Sequence, residues 1–408
     1  MSDREKLAIF SPLPPERTGI ADYVYEQLPF WTQHRNITVV VDQDPALVPP
    51  VPEGVEVAAL ADWTERAGTD RVPRLYHVGN NRHHEYVFLQ ALRHPGVVLL
   101  HDYVLHHLTV ELTLARGDVE GYAKVLEEEW GELGRRIAEQ REAGLFTEYQ
   151  QFLMPLNGRL VRNSQGVIVH SDWAKRHLSV SNDVPLVCVP HHFSPPPEEV
   201  VREGVDGARE YFGMDPNKLI FLCAGHVTPP KRVEHVIRAL GEIRDQIPPF
   251  ELWIVGEASD PLAVERAIQA AGIQDRTTMT GFVEMSAFQY AFMAADVVMN
   301  LRYPTAGESS GTLTRALGMG CCCVVYDYAS FGDLPSDVAV KLPLEHDNAS
   351  RLAEALLRVA ADDHIRESYA RRAAEYARRQ CNIVKCVAHQ SDFVLEVADL
   401  QQDLGAVG

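Results

Sequence analysis

The sequence predicts an α/β protein made of two doubly wound, parallel-sheet domains. Three observations predict it. Short Val/Ile/Leu-rich runs recur along the chain, each followed by a longer stretch of helical periodicity. The runs are continuous, not alternating, as strands covered on both faces must be. At 408 residues the chain is also too long for one ordinary core, so two domains share the series.

In order, the first half carries "LAIFS" (7–11), "ITVVVD" (37–42), "LYHV" (75–78), "VVLLH" (97–101), "GVIVH" (166–170) and "LVCVP" (186–190). The second half carries "LIFLCAG" (219–225), "ELWIVG" (251–256), "TTMTGF" (277–282), "DVVMN" (296–300) and "CCCVVYD" (321–327). Between the halves, "HHFSPPPEEVVREGVDG" (191–207) interrupts the pattern with Pro and charge. The expected division is 1–196, 197–385 and a terminal helix over 386–408. Residues 110–162, with "AKVLEEEWGELGRRIAEQ", read as a helical insertion in the first domain. The tail from about Asp362, through "RRAAEYARRQ" and "DFVLEVADLQQDL", reads as helix to the end. No short-period repeat and no low-complexity tract interrupts the series.

Composition excludes several classes. A formal net charge of −19 opposes a nucleic-acid partner, which needs a basic stripe to neutralise phosphates. It also tilts against docking on anionic lipid. No run approaches the roughly 20 apolar residues of a membrane span. "MSDREKLAIFS" starts polar and passes into a strand, with no signal peptide, so a cytoplasmic location is expected. The seven cysteines, three of them consecutive at Cys321, Cys322 and Cys323, lack disulfide or zinc spacing and read as small buried hydrophobes.

In open α/β sheets ligands bind at the carboxyl ends of the strands, so the loops there carry the candidates. "SPLPPERTGIADY" (11–23) has one glycine, Gly19, ahead of a helix; it is a plain turn or a close backbone approach to phosphate. It contains neither G-x-G-x-x-G nor a P-loop, so no nicotinamide, flavin or Walker-type site is expected. "VVLLHDYVLHHL" (97–108) ends a buried strand on His101 and Asp102 and puts His106 and His107 on the next helix. With His83 and His84 these histidines either pack or ligate a metal; no carboxylate or cysteine joins them at ligand spacing, so no metal is expected.

"GHVTPPKR" (225–232) sets Lys231 and Arg232 at a helix start, where two cations oppose the dipole unless an anion lies between them. A solvated basic pair is the alternative. In "GESSGTLTRALGMG" (307–320), Ser309, Ser310, Gly311 and Thr312 would offer backbone N–H groups to a phosphate. Glu308 at the mouth would repel that phosphate, but suits neutral hydroxyls such as a sugar's. A carboxylate serving the helix dipole fits nearly as well.

The order and spacing of these motifs, with "YHVGNN", "GVIVHSDWAKRHL", "VPHHF", "LWIVGE" and "TGFV", resemble the retaining glycosyltransferases of GT-B architecture, similar to glycosyltransferase family 4. The resemblance covers nearly the whole chain. It implies two Rossmann-like domains facing a central cleft, with a C-terminal helix crossing back. It also implies transfer of a sugar from a nucleotide-sugar co-substrate (UDP-, GDP- or another) with retention, with no permanent cofactor and no metal.

Carried over, Gly19 lies by the donor diphosphate and His101 by the transferred sugar and acceptor. Lys231 clamps the diphosphate. His226 stands where many members have arginine, with Arg232 able to compensate. Phe282 and Val283 lie near the base, and Glu308 matches the first glutamate of the family's pair. The second, eight positions on, is Ala316, with Arg315 beside it, so ribose recognition departs from the family pattern. The acceptor would bind around Thr18, Asp22, Tyr23, Asn80, Asn81, His101, Asp102 and the helices of 110–162. A soluble molecule or glycan is favoured over lipid. A nucleotide-sugar epimerase and a non-catalytic nucleotide-sugar binder share the architecture and stand as rivals.

Overall fold

Apolar residues on both sides of a strand demand cover on both sides, and each sheet of this protein is covered in that way. The computed structural model describes residues 6–66, 72–180, 182–345 and 348–407. It divides the chain into an N-terminal unit, Met1–Pro190 with Ala306–Ser309 and Ile383–Gly408, and a C-terminal unit, His191–Thr305 with Ser310–Asn382.

In the N-terminal unit seven strands form one parallel sheet. They are β1 (Lys6–Phe10), β2 (Asn36–Val41), β3 (Val55–Ala59), β4 (Arg74–Val78), β5 (Val97–Leu100), β6 (Gly166–Val169) and β7 (Leu186–Cys188). Their order is β3-β2-β1-β4-β5-β6-β7. Successive side chains of a strand point to opposite faces. Leu7 and Ile9 of β1 accordingly enter one core with Leu28, Trp31 and Val387, while Ala8 and Phe10 enter another with Tyr76, Val87 and Leu160.

The C-terminal unit repeats the plan with six strands: β8 (Leu219–Ala224), β9 (Phe250–Val255), β10 (Thr277–Gly281), β11 (Val297–Met299), β12 (Cys322–Tyr326) and β13 (Val340–Leu342). Their order is β10-β9-β8-β11-β12-β13, and every pair is parallel. Phe221 and Cys223 of β8 face one core, Ile220, Leu222 and Ala224 the other. The two-sheet parallel fold expected from the sequence is therefore present. Two strands escaped that reading, β3 ("VEVAA") and β13 ("VKL"). Both are sheet edges. Glu56 of β3 is exposed and β13 has three residues, so neither reads as a continuous apolar run.

Helices follow from the same chemistry. The last one, Ile383–Val407, places Ile383, Cys386, Val387, Val394 and Val397 at helical spacing into the core beside β1 and β6. Full burial of such side chains contributes about 1.5–3 kcal/mol each. Gly166 permits this packing: a Cβ there would lie 2.9 Å from Val397 Cγ2 and 3.1 Å from Phe393 Cε1. Residues 110–162 form helices with a small core of their own, built on Tyr122, Leu126, Ala138 and Met154. The long helix Val119–Glu142 breaks at Gly131, which takes φ 60°. Nearby, the Glu129 carboxylate accepts from the N–H groups of Gly158 and Arg159 at the start of the helix Gly158–Asn163.

Both strand orders reverse at one place, between β1 and β4 and between β8 and β11. The loops diverging there leave a crevice at the carboxyl edge of each sheet. They are the loops after β1 and β4 in one unit, and after β8 and β11 in the other.

Candidate functional site

In the C-terminal unit, β8 is followed by Gly225, whose φ of +82° suits glycine. A Cβ on Gly225 would lie 2.7 Å from Lys231 Nζ and 3.3 Å from Thr312 Oγ1. A lysine from one loop and a threonine from a helix start thus converge on one strand end, where a side chain would crowd both. Lys231 Nζ donates to the Ala224 carbonyl at 2.9 Å. Burial pushes the adjacent Cys223 thiol up to about 12, against the opposing pull of Lys231, so that sulfur stays protonated and inert. On the same side of the sheet, Gly256 (φ +137°) follows β9 and Gly281 (φ +69°) ends β10. A Cβ on Gly256 would strike the Gly225 carbonyl oxygen at 2.5 Å.

The helix Gly311–Gly318 starts at this point. Ser310 is its N-cap: Ser310 Oγ accepts from the Leu313 N–H at 3.2 Å and donates to Asn300 Oδ1 at 3.0 Å. The cap leaves the N–H groups of Gly311 and Thr312 outside the helix's own bonding, at the positive end of its dipole. Asn300, 5% exposed at the end of β11, has an Nδ2 that is buried and without a hydrogen-bond partner. It lines a cavity of about 10 Å³, water-sized, together with Lys231, Ala224 and Met299. An ammonium, a hydroxyl, two main-chain donors and an unsatisfied amide gather here. Such a set suits an anion.

The other expected residues of this unit are distributed as follows. Arg232, at φ 55°, donates from Nε to the Tyr303 carbonyl at 2.9 Å, with its guanidinium 5.2 Å from the Tyr303 ring. Its charge is thereby tied to the loop after β11. His226 is exposed and hydrogen-bonds Ser259 Oγ through Nε2 at 3.1 Å. Phe282 is 49% exposed at the end of β10, and Val283 packs beneath it on the core. Ala316 is fully buried in that core, which explains why no carboxylate occupies its position; Arg315 is half-buried beside it.

In the N-terminal unit, Thr18 is the N-cap of the helix Gly19–Trp31, its hydroxyl accepting from Ile20 N and Ala21 N. Gly19 is exposed, and a Cβ there would meet nothing within 4 Å. Asp22 is half-buried, whereas Tyr23 is 1% exposed, its hydroxyl accepting from Gln390 Nε2 at 2.9 Å. Burial drives the Tyr23 pKa far up, so the phenol stays neutral and belongs to the core and not to an open face.

Asn80 joins two loops: its N–H donates to Asp102 Oδ2 (2.7 Å), its Oδ1 accepts from Leu108 N (3.0 Å), and its Nδ2 donates to His107 Nδ1 (2.8 Å). Asn81 caps the short turn that follows through its Oδ1 and His83 N. The segment 306–309 lies within this unit, with Val104 N–H donating to the Ala306 carbonyl at 2.8 Å. Gly307 (φ +73°) sits on Tyr103 and Trp173, each 2.6 Å from where its Cβ would be. Glu308 and Ser309 are thus held on the N-terminal unit, both half-buried, while Ser310, Gly311 and Thr312 begin the C-terminal helix.

His101 is 7% exposed and hydrogen-bonded on both ring nitrogens, to His77 and His170. The other histidines are packed. His84 donates from Nδ1 to the His77 carbonyl (2.8 Å), and burial lowers its pKa to about 4. His106 donates to the Met154 carbonyl (3.1 Å) and contacts Tyr122 OH (2.8 Å), with its pKa also lowered to about 4 by burial. Among the described residues no three His, Cys, Asp or Glu side chains are arranged to hold a metal ion. No helix among them is long and apolar enough to cross a membrane.

Sequence reasoning missed Asn300, His77 and His170. For two of them a signal existed: Asn300 and His170 are polar residues closing apolar strands, the same pattern that singled out His101.

Residues 188–380, just under half of the chain, match the family described as glycosyl transferases group 1. An alpha-D-kanosaminyltransferase of Streptomyces kanamyceticus is 26% identical over 167 residues, 41% of this chain and 42% of the relative. A D-inositol 3-phosphate glycosyltransferase of Segniliparus rotundus is 25% identical over 198 residues, 45% of this chain and 40% of the relative. The chain therefore spans about two fifths of the length of these relatives. Among solved structures, a sucrose-phosphate synthase from Thermosynechococcus elongatus superposes with a TM-score of 0.63 at 16% identity, covering 99% of this chain and 100% of that one. Anabaena Alr3699/HepE, in complex with UDP and glucose, gives 0.64 at 14% identity over 96% and 100%. These likenesses establish the GT-B fold.

Proposed function

We propose that the chain is a retaining glycosyltransferase, moving a sugar from a nucleotide-sugar donor to an acceptor hydroxyl without a metal ion. The observation that carries this reading is the convergence of Lys231 Nζ and Thr312 Oγ1 on Gly225, beside the capped start of the Gly311–Gly318 helix. Cleaving a sugar–diphosphate bond builds negative charge on the leaving oxygen. Fixed cations and main-chain donors lower the barrier most where water is excluded. Lys231, the N–H groups of Gly311 and Thr312, and the Thr312 hydroxyl have the chemistry to do so. The match of this segment to group 1 glycosyl transferases supports the same assignment.

In the mechanism we favour, the acceptor hydroxyl attacks the anomeric carbon from the face the diphosphate leaves. The bond to the leaving oxygen breaks as the new C–O bond forms, and the acceptor proton passes to that oxygen. Glu308 then accepts hydrogen bonds from donor-sugar hydroxyls and forms no covalent intermediate, unlike the carboxylate nucleophile of retaining hydrolases. Phe282 would stack on the base. Ala316 stands where the family's ribose-binding carboxylate would be, so the ribose contact would be made differently here.

The relatives suggest the acceptor class. One is named for D-inositol 3-phosphate and another, also from Streptomyces kanamyceticus, is a 2-deoxystreptamine glucosyltransferase. A small, hydroxyl-rich cyclic acceptor fits an acidic chain with no membrane-spanning helix among its described residues.

Incubation with UDP-, GDP-, ADP- and TDP-sugars should release one nucleoside diphosphate in step with glycosylated product. Release with rearrangement of the donor alone would instead assign an epimerase. Turnover should persist in EDTA. Glu308→Gln should reduce turnover by roughly 10²-fold or more while nucleotide binding survives; a near-normal rate would remove Glu308 from the sugar site.

A further inference from the structure

Three buried histidines run in a row across the N-terminal sheet, and with all three rings neutral their partners allow only one arrangement of protons. His77 lies in β4, His101 follows β5 and His170 follows β6; they are 0%, 7% and 8% exposed. His170 Nδ1 is 2.8 Å from the Val189 carbonyl, His170 Nε2 is 3.3 Å from His101 Nδ1, and His101 Nε2 is 3.1 Å from His77 Nδ1. Tyr23 covers the row, its ring centroid 4.8 Å from that of His101 in an edge-on contact and 5.3 Å from that of His170.

A carbonyl only accepts, so His170 carries its proton on Nδ1. A neutral His170 then has a lone pair on Nε2, and His101 must donate to it from Nδ1. Neutral His101 in turn accepts at Nε2, and His77 donates from Nδ1. The bonds therefore point one way, from His77 through His101 and His170 to the Val189 carbonyl.

We propose that His77 and His170 are positioning residues that lock His101 as its Nδ1–H tautomer, so that His101 presents its main chain to the site while its ring is spent inside the fold. This deepens the transferase reading and rests on it for the role of His101. It departs from that reading in one respect, because a ring bonded on both nitrogens has no polar edge left for a sugar hydroxyl. The lock also joins the carboxyl ends of β4, β5 and β6 to the residue that follows β7. That fixes residue 101 and the Asp102 loop, which Asn80 holds from the other side through its N–H to Asp102 Oδ2.

Long-range ¹H–¹⁵N correlation of the histidine rings in the full-length protein tests the arrangement without any substrate. The expected result is three Nδ1–H tautomers with unprotonated Nε2 atoms. A His101 that carries its proton on Nε2, or a charged His101 at neutral pH, overturns the lock.

Turnover variants test the positioning role. In His77→Asn the amide can occupy the Nδ1 position and still donate to His101, whereas His77→Phe has no donor and His77→Gln places its amide too far along. Phe and Gln should lose roughly tenfold to a hundredfold in kcat, with nucleoside diphosphate affinity unchanged, and Asn should recover most of that loss. Equal turnover in Asn and Gln variants overturns the positioning role, even if the Phe variant does not fold. If the wild-type protein transfers no sugar from any donor, the functional reading fails while the ring spectra still decide the tautomers.

Discussion

Gly225 shows how much one residue can decide. Its positive φ strains any side chain, and a Cβ 2.7 Å from Lys231 Nζ would push that ammonium out of place. Gly225→Ala should lose nucleotide affinity and about 1–2 kcal/mol of stability, read by calorimetric titration and by denaturant unfolding. Lys231 could be picked out from sequence because it follows a strand and a Pro-Pro turn at a helix start. His77 could not, because its partner His101 is remote in sequence and only folding brings them together.

The buried His84 gives a pH signature. Its folded pKa, about 4, lies below the unfolded value of 6.5. Between those values the unfolded chain binds a proton that the folded chain does not. Stability therefore rises with pH across that window and is lost as pH falls through it, by on the order of 3 kcal/mol. His84→Asn keeps a donor for the His77 carbonyl but cannot titrate. Its unfolding free energy should fall less than the wild type's between pH 6.5 and 4; parallel curves would contradict the assignment.

At the scale of elements, the helix Gly311–Gly318 depends on one hydroxyl. Ser310→Ala removes the cap of Leu313 N–H and the donor to Asn300 Oδ1, so it should cost about 1–2 kcal/mol. It should also weaken nucleotide binding by displacing the first turn; unaltered binding would mean the turn is held by other contacts. Gly166→Ala should push the terminal helix off β6, because Phe393 and Val397 occupy the space its Cβ needs. Faster hydrogen exchange within Ile383–Val407 would report that shift.

The eleven strands read from the sequence are all present; nine of them are interior to their sheets, where cover on both faces leaves a continuous apolar run. β3 and β13 left a weaker one. An edge strand is half solvated and can be three residues long, so register with its neighbour defines it more than its own composition does. The segment at 306–309 was illegible for a different reason. "GESSGTLTRALGMG" reads as one turn into a helix, yet Gly307 packs on Tyr103 and Trp173 and carries Glu308 into the N-terminal unit before Ser310 caps the helix. No periodicity announces such a division.

For the molecule as a whole, both sheets reverse their strand order where the candidate residues lie, after β1 and β4 and after β8 and β11. That agreement between topology and chemistry was accessible from sequence, because strands alternating with helices fix the carboxyl edge as the ligand edge. The donor base and the acceptor were not, because a ring face such as Phe282's would suit any base and Ala316 stands where the ribose-binding carboxylate was expected. The most direct test is calorimetric titration of the intact protein with UDP, GDP, ADP and TDP, alongside its Lys231→Ala variant. One diphosphate should bind the wild type at one site per chain without added metal, and the variant should bind it at least about tenfold more weakly. Equal affinity in the two proteins, or no binding of any of the four, would contradict the assignment of this site.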